Sequence, residues 1–425
     1  MSPIWHLGWR SIANRRLSVA LTVIAVALSV AMLIGVERVR HDAREGFART
    51  ISGTDLIVGA RGGPVQLLLY SVFHMGNATN NMSWQSLQQI TALPQVDWVV
   101  PVSLGDSHRG FRVLGTTPAF FERYRYAQDE TIAFAAGRSF AVAPDGIFEA
   151  VVGAEVAARF GYAEGQRIVL SHGSGGGVSF SDHADKPFTI VGVLKRSGTP
   201  VDRSVLVSLE GVEAIHVDWQ AGAPIPGVHI APEQVRKFDI APKTVTAALI
   251  GLKNRVTVFR VQRQINAFAA EPLTAILPGA TLQELWSLVS VAEQALLAVS
   301  ALVVVVGLAG LVAVMVASLG ERRRELAILR ALGAGPRQIL ALLMLESMSL
   351  ALAGIFIGLV VVNVGTAALS PWLAAEYGLH VGISWPSTAE LSLLGAVLAA
   401  SVLASVVPGV RAYRYSLADG MTIRI

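Results

Sequence analysis

Residues with metal-binding chemistry gather in two short segments near the middle of the chain. Residues 171–186 form a stretch rich in glycine and serine, and residues 213–219 read EAIHVDW. Both segments carry imidazole and carboxylate side chains, which together suit Zn²⁺ and similar ions. One interpretation is therefore a metal site. Its candidate ligands are His172, Asp182, His183, Asp185 and His216.

The alternative interpretation of these segments is a hairpin tip without a metal. The spacing of the candidate ligands matches no compact ligand motif, and a metal site requires a geometry that spacing alone does not supply. In this alternative, neighbouring groups satisfy His216 and Asp218. The spacing favours the alternative, so zinc is predicted only as a candidate ligand of this loop, and no other cofactor is expected to bind the chain directly.

The elements that would position these residues belong to a membrane protein. The sequence is 53% hydrophobic and only 15% charged, whereas soluble proteins carry about 25% charged residues. A helix needs about 20 apolar residues to cross the bilayer core, and four stretches meet that requirement. They are Leu17–Val36, Ala295–Leu319, Leu340–Ala368 and Leu391–Pro408. The first is too long for a signal peptide, so we expect an uncleaved anchor.

The spans divide the chain into predicted segments with distinct surroundings. They are a cytoplasmic amphipathic helix (1–16), the first span (17–36), a large outer domain with stalk helices (37–294), the second span (295–319), a cytoplasmic amphipathic helix (320–339), the third span (340–368), an outer loop (369–390), the fourth span (391–410) and a cytoplasmic tail (411–425).

Arginines near the spans predict the orientation, because cytoplasmic loops carry an excess of Lys and Arg. Basic residues precede the first span, fill the loop between the second and third spans and follow the fourth, whereas residues 338–410 contain none. Both termini are therefore expected in the cytoplasm and the large domain outside. Three arginines at the outer end of the first span run against this rule, but long domains are translocated largely regardless of charge. They are Arg38, Arg40 and Arg44.

The net charge of +4 is explained by this membrane orientation, so no nucleic-acid partner is predicted.

Short alternating runs and helical periods predict an α+β outer domain. The predicted strands are Leu56–Val58, Trp98–Val102, Phe111–Leu114, Arg167–Ser171, Phe188–Leu194 and Ser204–Val207. The predicted helices are Trp84–Ala92, Pro118–Tyr126, Glu155–Phe160, Glu233–Lys237 and Gln262–Phe268. No Ser/His/Asp arrangement, paired acid site or firm metal motif is evident in this domain, so an enzyme is not predicted.

The segment after the second span, ERRRELAILRALGAGPRQIL, predicts a short amphipathic helix that ends at glycine and proline. Such a helix could lie on lipid headgroups or dock into a groove of a partner protein, and the pattern alone does not separate the two. The candidate contact residues are Arg322, Arg323, Arg324, Glu325, Leu326, Leu329, Arg330, Leu332, Gly333 and Arg337.

Several segments together resemble the FtsX/MacB-like ABC transporter permeases. Residues 322–339 are similar to that family's coupling segment, residues 406–421 to its exit from the fourth span, and residues 149–170 and 188–209 to its outer-domain core. Glu346 stands where the family often carries a glutamate. The resemblance implies a two-lobed outer domain, and we expect the inserted lobe at about 105–225.

The resemblance also implies a function and a set of partners. It predicts a permease of the bacterial inner membrane that works as a homodimer and transmits the motion of a separate ABC ATPase to a substrate or partner outside. Expected outer partners are a binding protein, a lipoprotein or an outer-membrane component. The alternative is an FtsX-like signalling scaffold that activates an outer enzyme without transport. The sequence agrees with a separate ATPase, because no lysine follows a glycine, as a Walker A loop requires.

Two features inside the spans carry separate predictions. Gly354 and Gly358 form a G-x-x-x-G pattern, which permits close helix packing, either within one subunit or between two copies. Glu346 is the one acid well inside an apolar run. Its position near the cytoplasmic end favours a structural role, in which it either reaches the interface or bonds to an arginine of residues 322–337, over a proton relay.

Overall fold

The computed structural model describes residues 16–173, 182–220, 223–225, 228, 230–321, 323–377, 382 and 385–414. These residues form two units, one made of residues 44–289 and the other of residues 1–43 and 290–425. The predicted N-terminal helix (residues 3–16) lies almost wholly outside the described residues, as do Arg322 and most of the C-terminal tail.

Thirteen α-helices occur among the described residues. They are α1 (Arg16–Arg49), α2 (Pro64–Val72), α3 (Trp84–Thr91), α4 (Ala119–Arg123), α5 (Ala154–Phe160), α6 (Leu209–Ile215), α7 (Pro232–Val235), α8 (Val258–Asn266), α9 (Pro278–Glu321), α10 (Arg323–Ala331), α11 (Pro336–Tyr377), α12 (Thr388–Ala404) and α13 (Val406–Arg414). Two 3₁₀ turns accompany them, at Pro200–Arg203 and Arg255–Thr257.

The strands all belong to the unit of residues 44–289. They are β1 (Leu56–Ala60), β2 (Met82–Ser83), β3 (Val96–His108), β4 (Phe111–Thr116), β5 (Arg125–Tyr126), β6 (Glu130–Thr131), β7 (Phe134–Gly137), β8 (Glu149–Val152), β9 (Arg167–Ile168), β10 (Ser171–His172), β11 (Phe188–Leu194), β12 (Ser204–Ser208), β13 (Trp219–Gln220), β14 (Ala223–Pro224), β15 (Thr244–Val245), β16 (Ala247–Leu252) and β17 (Leu273–Ile276).

One mixed sheet of 11 strands organises this unit, in the order β17-β1-β16-β3-β4-β12-β8-β11-β7, with β10 paired to β3 and β9 to β11. The pairs β4–β12 and β8–β11 are parallel, and the others in this sheet are antiparallel. The strands on one side of β3 come from the predicted inserted lobe, and those on the other side come from outside it. This division coincides with the lobe predicted at about 105–225, whose boundaries stay a prediction.

Burial explains why these segments form strands. Side chains of β11 alternate between buried and half-buried positions, the period of a sheet with one covered face. Every residue of β12 is buried, because the strand lies between β4 and β8 and helices cover the sheet. The longest strand, β3, contains a bulge between Leu104 and Ser107 in its pairing with β4. The bulge precedes a polar, buried end of the strand.

The structure corrects several predicted elements. Pro118–Tyr126 was predicted as one helix, but α4 ends at Arg123 and the chain continues into β5, because Arg125 and Tyr126 pair with β6. Arg167–Ser171 was predicted as one strand and is two, because β9 pairs with β11 whereas β10 pairs with β3. The predicted fourth span, 391–410, lies within the candidate membrane helix Thr388–Ala412, in which α12 ends at Ala404 and α13 begins at Val406, since Pro408 has no N–H to donate to the carbonyl of Ala404.

Four helices among the described residues are long and apolar enough to cross a membrane. They are Leu17–Arg49, Pro278–Gly320, Arg337–Ser370 and Thr388–Ala412. The four predicted spans fall within them. Their shared core is a cluster of buried apolar side chains that includes Val30, Ile34, Leu311 and Leu343. Helices α1 and α9 each contribute residues to both units of the chain.

Candidate metal centre, coupling helix and membrane cluster

Asp106 and His172 face each other across two paired strands. Strand β10 pairs antiparallel with the end of β3, and in this register His172 lies opposite Asp106. The Nδ1 atom of His172 is 3.3 Å from Oδ1 of Asp106, whose side chain is 2% exposed. This carboxylate raises the pKa of His172 above its usual value. Asp106 lies at the bulge of β3, between Leu104 and Ser107.

His216 reaches the same place from the end of α6, where it is the C-cap residue. Its Nδ1 donates a hydrogen bond to the carbonyl of Val212 at 2.8 Å. A carbonyl only accepts, so the proton of a neutral ring is on Nδ1 and Nε2 keeps its lone pair. Nε2 lies 3.3 Å from Nδ1 of His172 and 3.8 Å from Oδ1 of Asp106. The second-sphere bond to Val212 thus orients the ring for a ligand at Nε2.

His183 completes the cluster from the loop before β11. Its backbone N–H donates to the carbonyl of Leu170 at 2.9 Å, and its side chain is buried. Within the described residues, neither ring nitrogen of His183 has a hydrogen-bond partner. Burial, followed by the charge of His216, lowers the pKa of His183 to about 4. The ring is therefore neutral at physiological pH and packs at a tilt against Trp219, with ring centroids 4.5 Å apart.

These four side chains form a compact set of three imidazoles and one carboxylate. Each offers one ligand atom, and the four atoms all lie within 4.8 Å of one another. Oδ1 of Asp106 is buried and accepts no hydrogen bond from the described residues. A set of nitrogen and oxygen donors of this composition fits Zn²⁺, which favours four ligands.

A buried ion pair fixes the two loops that carry His183 and His216. Nζ of Lys186 lies 2.7 and 2.8 Å from the carboxylate oxygens of Asp218 and 2.7 Å from Asp185. Burial acts to raise the pKa of Asp218, but the hydrogen bond and charge of Lys186 outweigh it, so that this pKa is lowered. The pair therefore links the loop before β11 to the segment after α6.

The predicted ligands divide into two groups. His172, His183 and His216 meet, whereas Asp182 accepts a hydrogen bond from Ser171 at 2.7 Å and Asp185 binds Lys186. Asp106 was missed, because it lies on a distant strand. The available signal was the polar run Asp106–His108 at the end of the strand, where all three residues are buried. Residues 174–181 of the predicted loop lie outside the described residues.

The segment predicted to be cytoplasmic forms the short helix α10 between α9 and α11. Leu326 is buried and Leu329 half-buried, whereas Ile328 and Leu332 are 54% and 80% exposed. The helix ends where Gly333 adopts φ +95°, with Ala334 N–H donating to the carbonyl of Leu329. Glycine takes this left-handed conformation without steric cost.

The polar contact residues of this segment are partly described. Glu325 and Arg337 are exposed, and Arg330 donates to the carbonyl of Ala412 at 3.4 Å. The side chains of Arg323 and Arg324 lie outside the described set, as does all of Arg322. Glu346 is half-buried on α11, and its carbonyl accepts from Ser349 at 2.8 Å.

The G-x-x-x-G face lies against α1 of the same chain. A Cβ atom on Gly354 would approach Val26 to 2.6 Å, and one on Gly358 would approach the carbonyl of Ala27 to 2.8 Å. This face is therefore occupied within one subunit. The interpretation as packing within one subunit fits this geometry, whereas the second interpretation, a seam between copies, would require a different face.

A polar cluster that sequence reasoning missed joins three of the membrane helices. Arg38 on α1 donates from Nε to Glu390 on α12 at 3.1 Å and from Nη1 to Asn363 on α11 at 2.8 Å. Glu390 also closes a capping box with Ser387 at the start of α12. Arg38 and Glu390 are both buried. Glu390 was predicted only as the last residue of the outer loop.

Comparison with known families identifies the class of protein that these two units form. Residues 19–268 match the MacB-like periplasmic core domain, and residues 297–417 match the FtsX-like permease C-terminal domain. Because the first match covers more than half of the chain, the chain belongs to the family of FtsX/MacB-like ABC transporter permeases. The predicted family is thereby confirmed.

Individual relatives are distant. The chain is 24% identical over 426 residues to an uncharacterised ABC transporter permease protein of Mycobacterium tuberculosis, covering 97% of this chain and 44% of that protein. The chain thus spans less than half the length of this relative. Two solved structures are similar to part of this chain. The periplasmic region of MacB from Actinobacillus actinomycetemcomitans gives a TM-score of 0.33 at 9% identity, covering 56% of this chain and 94% of that one. The extracellular domain of the noncanonic ABC-type transporter YknZ from Gram-positive bacteria gives 0.30 at 11% identity, covering 52% and 99%.

Proposed function

We propose that the chain is the membrane subunit that transmits the motion of a separate ABC ATPase to an outer domain, where it acts on a substrate or partner outside the inner membrane. Membership of the permease family supports a subunit of this kind and an ABC ATPase partner. The observation that carries the proposal is α10, a short amphipathic helix between two helices long enough to cross the membrane.

The exposed apolar side chains of α10 and its C-terminal turn support a protein partner. Ile328 and Leu332 are four residues apart and therefore lie on one side of the segment, where no described residue covers them. An amphipathic helix that docks in a groove presents its anchors with this spacing. We infer that the groove belongs to the ATPase and that both chain termini lie on the same, cytoplasmic side.

Tight contacts among the membrane helices support transmission from α10. Helix α10 is joined directly to α9 and α11, so a displacement of α10 acts on both. Helix α1 packs closely on both of them, since Ser29 donates to the carbonyl of Val303 on α9 at 3.1 Å and α11 presents its two glycines to α1. Helices α1 and α9 continue into the sequence of the outer unit. In the proposal, two copies work together and the substrate does not cross between these helices.

The docking step is tested by adding charge to the exposed apolar side chains. We expect Ile328→Asp combined with Leu332→Asp to abolish equimolar co-purification with the ATPase, because burying two carboxylates in an apolar groove is costly. Val256→Asp is the matched control, since Val256 is 86% exposed on the other unit. Mass spectrometry of the wild-type complex identifies the ATPase. If the double variant retained the ATPase at the wild-type ratio, α10 would not be the coupling helix.

Transmission itself can be measured because the chain contains no cysteine. A single cysteine at Val142, which is 71% exposed, carries a spin label on each copy in the complex. We expect the distance between labels to change on ATP binding, and to stay constant in the α10 double variant. Unchanged distances in the wild-type complex would contradict transmission. Outer partners captured in the same preparation separate transport from signalling, since a hydrolase would indicate the FtsX-like scaffold.

A further inference from the structure

We propose that Asp106, His172, His183 and His216 bind one divalent transition-metal ion, with Zn²⁺ as the best fit, in the outer unit. The four ligand atoms come from four separate parts of the chain: the end of β3, strand β10, the loop before β11 and the end of α6. They nevertheless converge to within 4.8 Å of one another. This inference is independent of the coupling mechanism.

Unsatisfied buried groups are the strongest reason to place an ion here. A buried polar atom without a partner is destabilising, so folded proteins rarely leave such atoms together. His183 is 1% exposed, and among the described residues both its ring nitrogens lack partners. Oδ1 of Asp106 is also buried and accepts no hydrogen bond among the described residues, although Nδ1 of His172 lies 3.3 Å from it. One cation bound between them satisfies the carboxylate and the imidazole at once.

Protons alone do not satisfy this cluster. A proton on Nδ1 of His172 could bridge to Asp106 or to Nε2 of His216, each 3.3 Å away. That arrangement leaves His183 without a partner, although its ring centroid is only 4.9 Å from that of His216. Metal coordination requires a lone pair from every imidazole, and the bond from His216 to Val212 already provides one at Nε2.

The composition of the cluster selects the kind of ion and its role. Three imidazoles and a single carboxylate favour Zn²⁺ and related borderline ions over Mg²⁺ or Ca²⁺, which prefer all-oxygen sites. Four protein ligands complete a tetrahedral shell and leave no position for a reacting water, the arrangement of a structural zinc site. The Lys186–Asp218 pair joins the two segments that carry His183 and His216. We infer that the ion joins these segments rather than supporting catalysis.

The site is tested by metal titration of the full-length protein in detergent after treatment with a chelator. We expect the wild type to bind about one Zn²⁺ per chain, to bind Co²⁺ with the intense visible absorption of a tetrahedral site, and to gain thermal stability on binding. His183→Gln and Asp106→Asn, which keep the size and polarity of each side chain, should each weaken Zn²⁺ binding by about 100-fold. Mg²⁺ should not compete.

A matched control removes a buried histidine that lies outside the cluster. His74 bonds to Ser204 at 2.8 Å, so His74→Asn tests whether loss of any buried histidine weakens binding. We expect this variant to bind Zn²⁺ as the wild type does. Circular dichroism of each metal-free variant separates loss of a ligand from loss of the fold, and Asp106→Asn provides a second variant if His183→Gln does not fold. Absence of Zn²⁺ binding by the folded wild type, or wild-type affinity in both folded ligand variants, would overturn the proposal.

Discussion

Arg38 and Glu390 form a buried ion pair between the first and last long membrane helices, with Arg38 Nε 3.1 Å from Glu390 Oε1. The two residues are 352 positions apart, and Asn363 on α11 binds the same guanidinium. One cluster therefore connects α1, α11 and α12. Both side chains are buried, so removal of one charge would leave the other unpaired, which destabilises the folded protein.

Removing one charge should destabilise the helices more than removing both. Arg38→Met leaves Glu390 buried and unpaired, and we expect a loss of about 3–5 kcal/mol in the free energy of unfolding. Arg38→Met with Glu390→Gln should recover part of that loss, since glutamine can keep the bond to the Ser387 backbone. Unfolding in mixed micelles measures both variants, with Glu325→Gln on the exposed surface as the control. A double variant no more stable than Arg38→Met would show that the two charges do not stabilise each other.

Close packing of α11 on α1 predicts opposite results for two glycines on one helix. A methyl group at Gly358 would lie 2.8 Å from the carbonyl of Ala27, so Gly358→Ala forces the two helices apart. We expect a loss of about 1–3 kcal/mol, as in other overpacked sites. At Gly365 nothing lies within 4 Å, and Gly365→Ala should be neutral or stabilise the helix by up to about 1 kcal/mol.

The same pair of variants tests where copies of the chain meet. Because the G-x-x-x-G face is covered within one subunit, Gly358→Ala should lower stability in mixed micelles without changing the oligomeric state measured by light scattering. A shift from dimer to monomer in Gly358→Ala, but not in Gly365→Ala, would instead place these glycines at a seam between copies.

Lys186 and Asp218 should matter for stability and for the metal site together. Lys186→Met leaves the carboxylate of Asp218 buried without its cation, and we expect a loss of about 3–5 kcal/mol. Lys186→Met with Asp218→Leu should restore much of this stability. If the pair also positions His183 and His216, Zn²⁺ affinity stays reduced in the stable double variant. Wild-type affinity there would show that the pair supports the fold alone.

Sequence reasoning succeeded where the signal is local. Each predicted span is a continuous apolar run, and each lies within one long helix or, for the fourth, within two consecutive helices. The end of α10 was equally visible, since the sequence predicts that the helix ends at glycine and proline, and Gly333 ends it in the left-handed conformation. Hydropathy and turn chemistry depend on neighbours in the chain, and so they can be read without knowing what lies across the fold.

Features that depend on distant pairing were not accessible in the same way. The three histidines of the candidate site could be named, but Asp106 joins them only through the register of β10 on β3. Asp182 and Asp185 looked like equivalent ligands, and hydrogen bonds to Ser171 and Lys186 direct them elsewhere. Arg38 read as an exception to the charge rule, although Glu390 balances it from the other end of the sequence.

Buried His74 predicts a loss of stability in mild acid. Burial, assisted by the positive charge of Arg112, lowers the pKa of His74 from 6.5 to about 4. Below pH 6.5, His74 binds a proton in the unfolded chain but not in the folded chain. The contribution of His74 to the free energy of unfolding is therefore full above pH 6.5 and falls as the pH drops toward 4. We expect this histidine to remove up to about 3 kcal/mol between pH 7 and pH 4.

The comparison of wild type with His74→Asn isolates this contribution from other groups. Asparagine tolerates the left-handed backbone at this position, where φ is +53°, and can keep a polar contact with Ser204. Urea unfolding at pH 7 and pH 5, followed by tryptophan fluorescence with chelator present, should show a smaller fall in stability for the variant. His183 has a similarly lowered pKa and acts in the same direction in both proteins, so it cancels in the difference. Equal falls in the two proteins would mean that His74 is protonated in the folded state, or that the unit opens locally before it unfolds.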